Sequence, residues 1–151
     1  AHELKNLLYD KPVFMADHIP DKVVFPSLEK VHDPSFLKGK AVVAFAGIAH
    51  PDSFRDTLIK LGAEISFYRP FPDHHPFCLE DIRALQAVRE KTGADFLITT
   101  EKDWVRVSEI MSGDDFTSYL RIRFDFIAER EGFFQMVNEK FVVSKSSGHF
   151  L

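Results

Sequence analysis

The sequence has little of what most catalytic and binding signatures require. It has one cysteine, Cys78, so no internal disulfide can form, and a reducing compartment fits. Its 19 Lys and Arg face 23 Asp and Glu, and the net charge of −4 leaves no basic footprint for nucleic acid. No apolar run reaches the roughly 20 residues of a membrane-spanning helix, and no signal peptide is visible. There is no GxxxxGK string followed by Ser or Thr, no GxGxxG, no nucleophile elbow and no CxxC pair. The familiar phosphate-cradle, dinucleotide, hydrolase and thiol-redox signatures are therefore all missing from these residues.

What is present is an ordinary supply of core-forming residues. The hydrophobic share of 45% over 151 residues suffices for one domain with a real core. Phenylalanine occurs 16 times, so that core is expected to be rich in rings. Apolar runs alternate with amphipathic stretches. "KAVVAFAG", "AEISFYRPF" and "ADFLITT" read as strands, the first and third buried on both faces. "HPDSFRDTLIKLG" places Phe54, Leu58 and Leu61 on one helical face, with Pro51 at its start and Gly62 at its stop. "LEDIRALQAVREKTG" does the same with Ile82, Leu85 and Val88, ending at Gly93. "EKDWVRVSEI" starts a helix in which Thr100 and Asp103 form a capping-box-like pair. "YLRIRFD" alternates and is expected as a last strand at a sheet edge. "AEREGFFQMVNEKF" is expected as a closing helix.

This order predicts an α/β fold of three layers, helices covering both faces of a mostly parallel, Rossmann-like sheet. A short ribbon around Lys22 to Phe25 precedes it, after a strand expected over Pro12 to Asp17. The expected organisation is residues 1–39 as linker and ribbon, 40–140 as the α/β domain and 141–151 as a frayed tail. The chain opens "AHELKNLLYD" in helical pattern without an initiator Met. Either trimming or a missing upstream part would produce that.

Ligands of open parallel sheets bind beyond the carboxyl ends of the strands. Three polar loops follow predicted strands and so share that edge: "GIAHP", "FPDHHPF" and "TTEKD". The second invites a metal reading for Asp73, His74 and His75. On an extended segment, however, neighbouring side chains point to opposite sides and cannot grip one ion together. His50 and Glu101 could complete such a site only if the loops converge, and no metal is expected. A "DHH" string is also shared with manganese phosphoesterases, but no Asp-x-Asp element stands upstream. As an acid–base pair, Asp73 could orient His74, or His74 could partner a carboxylate elsewhere. The plainer alternative is that Asp73 caps the turn and both histidines lie exposed. Gly47 permits a tight turn at a helix start that could hold an anion. Thr100 and Glu101 suit a helix start, and Lys102 could reach a phosphate or lie solvated. Cys78 reads as a buried small residue rather than a nucleophile.

Taken together, "AFAGIAHPDSFRDTLIKLGAE", "FPDHHPF" and "TTEKDWVRV" closely resemble, in order and spacing, the carboxy-terminal domain of the tetraacyldisaccharide 4′-kinases of lipid A biosynthesis. The resemblance runs from about Pro12 to about Phe124. It implies an enzyme of two α/β domains joined by a ribbon. The amino-terminal domain, of which residues 1–39 would hold only the end together with the interdomain ribbon, would carry the P-loop outside this chain, hold ATP and Mg²⁺, supply a catalytic Asp and meet the membrane. It implies a lipid disaccharide substrate and a place at the cytoplasmic face of the bacterial inner membrane, this part itself being soluble and inactive alone. Within the family's Asp-His motif, Asp73 and His74 match, and His74 would pair with that catalytic Asp. His75 becomes a bystander, and Gly47, His50, Thr100, Glu101, Lys102 and Asp103 become edge candidates without an assigned step. A stand-alone binding module and a metal-dependent phosphoesterase are the alternatives from other classes.

Overall fold

A computed structural model describes residues 12–111, 113–126 and 130–146, with side chains in the last helix described as far as 139. The expected opening helix and the end of the tail lie outside these residues. The chain divides into two compact units, with boundaries at Ile19/Pro20 and Arg123/Phe124.

The larger unit, Pro20–Arg123, is built on the buried run of β3 (Ala41–Ala46). Its alternate residues face opposite ways. Val42, Ala44 and Ala46 enter one core cluster, and Val43 and Phe45 enter another. Helix α1 (Pro51–Lys60) covers the first face through Phe54 and Leu58. Helices α2 (Leu79–Thr92) and α3 (Glu101–Val107) cover the second through Ile82, Leu85 and Val107. The three layers are those the apolar periodicity demands. Each fully buried Leu or Ile contributes about 1.5–3 kcal/mol of transfer free energy. Gly62 ends α1 because its φ of +84° is open to glycine without a Cβ clash.

Strands β1 (Ala16–Phe25), β2 (Lys30–His32), β4 (Glu64–Pro70), β5 (Phe96–Thr100) and β6 (Thr117–Phe126) complete a six-stranded sheet of order β2-β1-β6-β5-β3-β4. β3 runs parallel to β4 and β5, and β5 parallel to β6. β1 and β2 form an antiparallel ribbon with Val24 opposite Val31. Val23, Phe25 and Leu37 belong to the same core cluster as α1, so the ribbon region is built into the packed sheet.

Three expectations are corrected. The first strand starts at Ala16 and runs through Pro20, rather than covering Pro12 to Asp17. β6 is an interior strand, not an edge. Its first four residues are buried and pair with β5, and the alternating pattern comes from its more exposed second half. The closing helix, α4, continues to Ser146, five residues beyond the expected Phe141.

In the smaller unit, Phe133 packs against Phe14 at 5.3 Å and Phe126 at 4.7 Å between ring centres, and Phe134 against Phe126 at 6.0 Å. Gly132 lies near Phe14, where a Cβ would stand 3.7 Å from the ring, so this helical glycine is not forced by space. Among the described residues no helix is long and apolar enough to cross a membrane.

Candidate functional site

The chain leaves adjacent strands β3 and β5 toward opposite faces, α1 following the first and α3 the second. Such a switch point opens a crevice beyond the strand ends, the usual ligand position in this architecture. The loops after β3, β4 and β5 all reach it.

Here the base of the crevice is filled by protein. Asp103, fully buried, accepts a hydrogen bond from the Gly47 amide at 3.0 Å and from the Thr100 hydroxyl at 2.8 Å. Thr100 Oγ1 in turn accepts from the Asp103 amide at 3.0 Å, which is the expected helix cap. Arg106, one turn along α3, donates from Nη2 to Asp103 and, at 2.7 Å, to the Gly47 carbonyl. The same carbonyl accepts from the His74 amide at 3.1 Å. One residue, Gly47, therefore joins the three loops through its amide and its carbonyl. Space there is tight: a Cβ would stand 3.3 Å from both the Pro72 carbonyl and the Phe77 ring, so a larger residue requires one of them to give way.

The Asp-His-His stretch is a turn at Asp73 and His74, not the extended segment expected. His74 has φ +57°, a left-handed conformation that costs a residue with a Cβ about 1–2 kcal/mol. Its side chain is 71% exposed and lies 3.7 Å from Asp73, beyond hydrogen-bond reach. Asp73 therefore does not orient the imidazole through a direct bond. His75 behaves differently. Its Nε2 is 2.8 Å from Asp81 and its ring stacks on Phe71 at 4.6 Å. Asp81 also accepts from the Cys78 amide and thiol in a capping box. Burial pushes the Asp81 carboxyl up, but these hydrogen bonds outweigh it and hold its pKa below the ordinary value. Cys78 is exposed at the start of α2, against the expectation of burial.

The other candidates stay outside the Gly47 junction. The His50 carbonyl accepts from Ser53 Oγ at 2.7 Å at the start of α1, and its ring is exposed. The Tyr68 hydroxyl donates to Pro51 O at 2.6 Å beside it. Burial, with the Asp52 charge adding, pushes that phenol up to about 12. Glu101 pairs with Arg121 at 3.1 Å. Lys102 is exposed and has no ion-pair partner among the described residues. No three His, Cys, Asp or Glu side chains among the described residues gather as a metal site. His50 and Glu101, which would have to converge on the histidines to complete a metal site, form no such group with them.

Sequence reasoning missed Arg106 and the His75–Asp81 pair. Arg106 stands three residues after Asp103, a spacing at which helical side chains meet, and that signal was available.

The sequence model described as tetraacyldisaccharide-1-P 4′-kinase matches residues 2–142. A tetraacyldisaccharide 4′-kinase of Syntrophus aciditrophicus is 34% identical over 102 residues, covering 68% of this chain and 27% of that protein. One of Bradyrhizobium sp. strain ORS 278 is 48% identical over 99 residues, covering 64% of this chain and 26% of that protein. The chain thus spans about a quarter of the length of these curated relatives. Among solved structures, the "apo" form of LpxK from Aquifex aeolicus in complex with ATP superposes with a TM-score of 0.55 at 23% identity, covering 87% of this chain and 36% of that one. That likeness concerns the fold. With the family model covering nearly the whole length, this chain belongs to the tetraacyldisaccharide-1-P 4′-kinase family.

Proposed function

We propose that this chain is the carboxy-terminal part of a tetraacyldisaccharide 4′-kinase. The intact enzyme would pass the γ-phosphoryl group of ATP to the 4′-hydroxyl of a tetraacyldisaccharide 1-phosphate in lipid A synthesis. What carries the reading is the family match together with an exposed, left-handed His74 at the switch-point edge. Non-glycine residues held in that region cluster where function fixes the backbone.

The residues of this chain do not suit a triphosphate and its Mg²⁺. The sequence has no P-loop string, and among the described residues no acidic cluster could hold a metal. ATP and Mg²⁺ would therefore be held by an amino-terminal P-loop domain, with the lipid substrate presented at the cytoplasmic face of the inner membrane. The part played here is that of His74. Its imidazole would donate a hydrogen bond to a carboxylate of that domain, completing the acid–base pair when the two domains meet. Asp73, at 3.7 Å, would stand beside the imidazole without a direct bond to it.

The test is His74→Ala in the intact enzyme. The expected fall in kcat is about 10²-fold, the usual scale for losing an acid–base partner. An unchanged kcat removes His74 from the mechanism. The 151-residue chain alone should not phosphorylate the lipid precursor with ATP, and finding that it does would overturn the division of labour.

A further inference from the structure

Resting on that reading of His74, we propose that Asp103 and Arg106 are positioning residues for it, acting through the backbone amide and carbonyl of Gly47. His74 is 71% exposed, so packing does not place its ring. Its backbone does, and that backbone sits at φ +57°. Two hydrogen bonds hold the turn, from the His74 amide to the Gly47 carbonyl and from the His75 amide to the Pro72 carbonyl, both 3.1 Å.

The Gly47 end of this link is not free to move. Its amide is bound to Asp103 at 3.0 Å and its carbonyl to Arg106 Nη2 at 2.7 Å. Arg106 Nη2 also reaches the other oxygen of Asp103, so a single ion pair grips both backbone polar groups of Gly47, the amide of one peptide and the carbonyl of the next. Thr100 fixes the carboxylate from the side at 2.8 Å. The arrangement is costly. Arg106 Nε and Nη1 are buried without a hydrogen-bond partner. Each such donor costs about 1–3 kcal/mol, and an apolar side chain of similar size would avoid it. A guanidinium neutralises the buried Asp103 carboxylate, and its planar fork also lets one nitrogen bridge that carboxylate and the Gly47 carbonyl. The geometry it holds is the height of the His74 turn above the strand ends.

An imidazole that must meet a carboxylate of another domain depends on that height. Misplacement by about 1 Å can cost up to about 10²-fold in rate. The test uses Asp103→Asn and Arg106→Lys in the intact enzyme, each alone and combined with His74→Ala. Asp103→Asn is expected to lower kcat about 10-fold while leaving KM for ATP within about two-fold. Combined with His74→Ala it should add less than about two-fold, because the histidine it serves is gone. Arg106→Lys, keeping charge but not the planar fork, should give a smaller loss in the same pattern, and is decisive if Asp103→Asn fails to fold. Equal losses with and without His74 would make the pair merely structural and overturn the proposal. So would no loss in the parent. If His74→Ala is itself as fast as the parent, the His74 reading fails, and the positioning role with it.

Discussion

His75 Nε2 lies 2.8 Å from Asp81 Oδ2, so the second histidine of the pair is committed to a carboxylate on α2 rather than to its neighbour. The bond ties the loop after β4 to the first turn of the next helix. His74 and His75, identical in chemistry and adjacent in sequence, are thereby given different work. One is exposed at the edge, and the other is a stacked, paired anchor.

Removing that anchor should be felt as stability. Asp81→Ala leaves His75 and the Cys78 amide without their acceptor, and a loss of about 1–2 kcal/mol in urea unfolding at pH 7 is expected. The sign with pH follows from the Asp81 carboxyl being held below its ordinary value of 3.8. Its contribution is fully present above that value and is lost as pH falls through the lower folded-state pKa. The gap between parent and variant should therefore close in acid. A gap constant down to pH 2 would mean the carboxylate charge plays no part.

Gly47→Ala tests the crowding where the three loops meet. The added methyl meets the Pro72 carbonyl and the Phe77 ring at 3.3 Å, tighter than most real contacts, and lies 3.5 Å from Asp103. Neither the backbone oxygen nor a ring packed at 5.0 Å on Phe71 can retreat cheaply. A loss of about 1–3 kcal/mol is expected, read as a fall in Tm. A variant as stable as the parent would show that the loop after β4 shifts without cost.

How far the sequence foretold this arrangement depends on the range of each interaction. "VVAFAG" announced a strand buried on both faces because both faces of β3 are covered by helices. Thr100 and Asp103 were legible as a cap because that bond is local. The second role of Asp103 was not, since Gly47 lies 56 residues away and no local pattern records the meeting. β6 was misplaced to an edge because a single strand carries two environments. Thr117 to Leu120 pair with β5 and are buried, while "RIRFD" beyond them is more exposed and sets the alternation. Cys78 misled because Phe77 and Leu79 flank it with apolar character, while its position before α2 leaves the thiol exposed.

That thiol gives a direct check. The largest influence, the hydrogen bond that the Asp81 backbone amide donates to the Cys78 sulfur, favours the thiolate. The thiol's own bonds to Asp81 and Glu80, with some burial, outweigh it and raise the pKa. Cys78 should thus be alkylated by iodoacetamide in the folded protein, being exposed, but more slowly at pH 7 than an unstructured cysteine. Asp81→Asn should change that rate, and complete protection of the native thiol would contradict its placement.

The turn at His74 allows stability and activity to be separated. At φ +57° any residue with a Cβ carries a left-handed penalty that glycine escapes. His74→Ala keeps the penalty and, because the ring is exposed, should leave Tm nearly unchanged. His74→Gly removes the penalty but adds freedom to the unfolded chain. The two terms together should leave it between equal to and about 1 kcal/mol more stable than His74→Ala. Both variants should lose about the same 10²-fold in kcat in the intact enzyme, since both lack the imidazole. A glycine variant less stable than the alanine one would mean that the turn is not left-handed in solution. The glycine form, no less stable and yet inactive, is the outcome expected if this conformation is held for the histidine's task rather than for the fold.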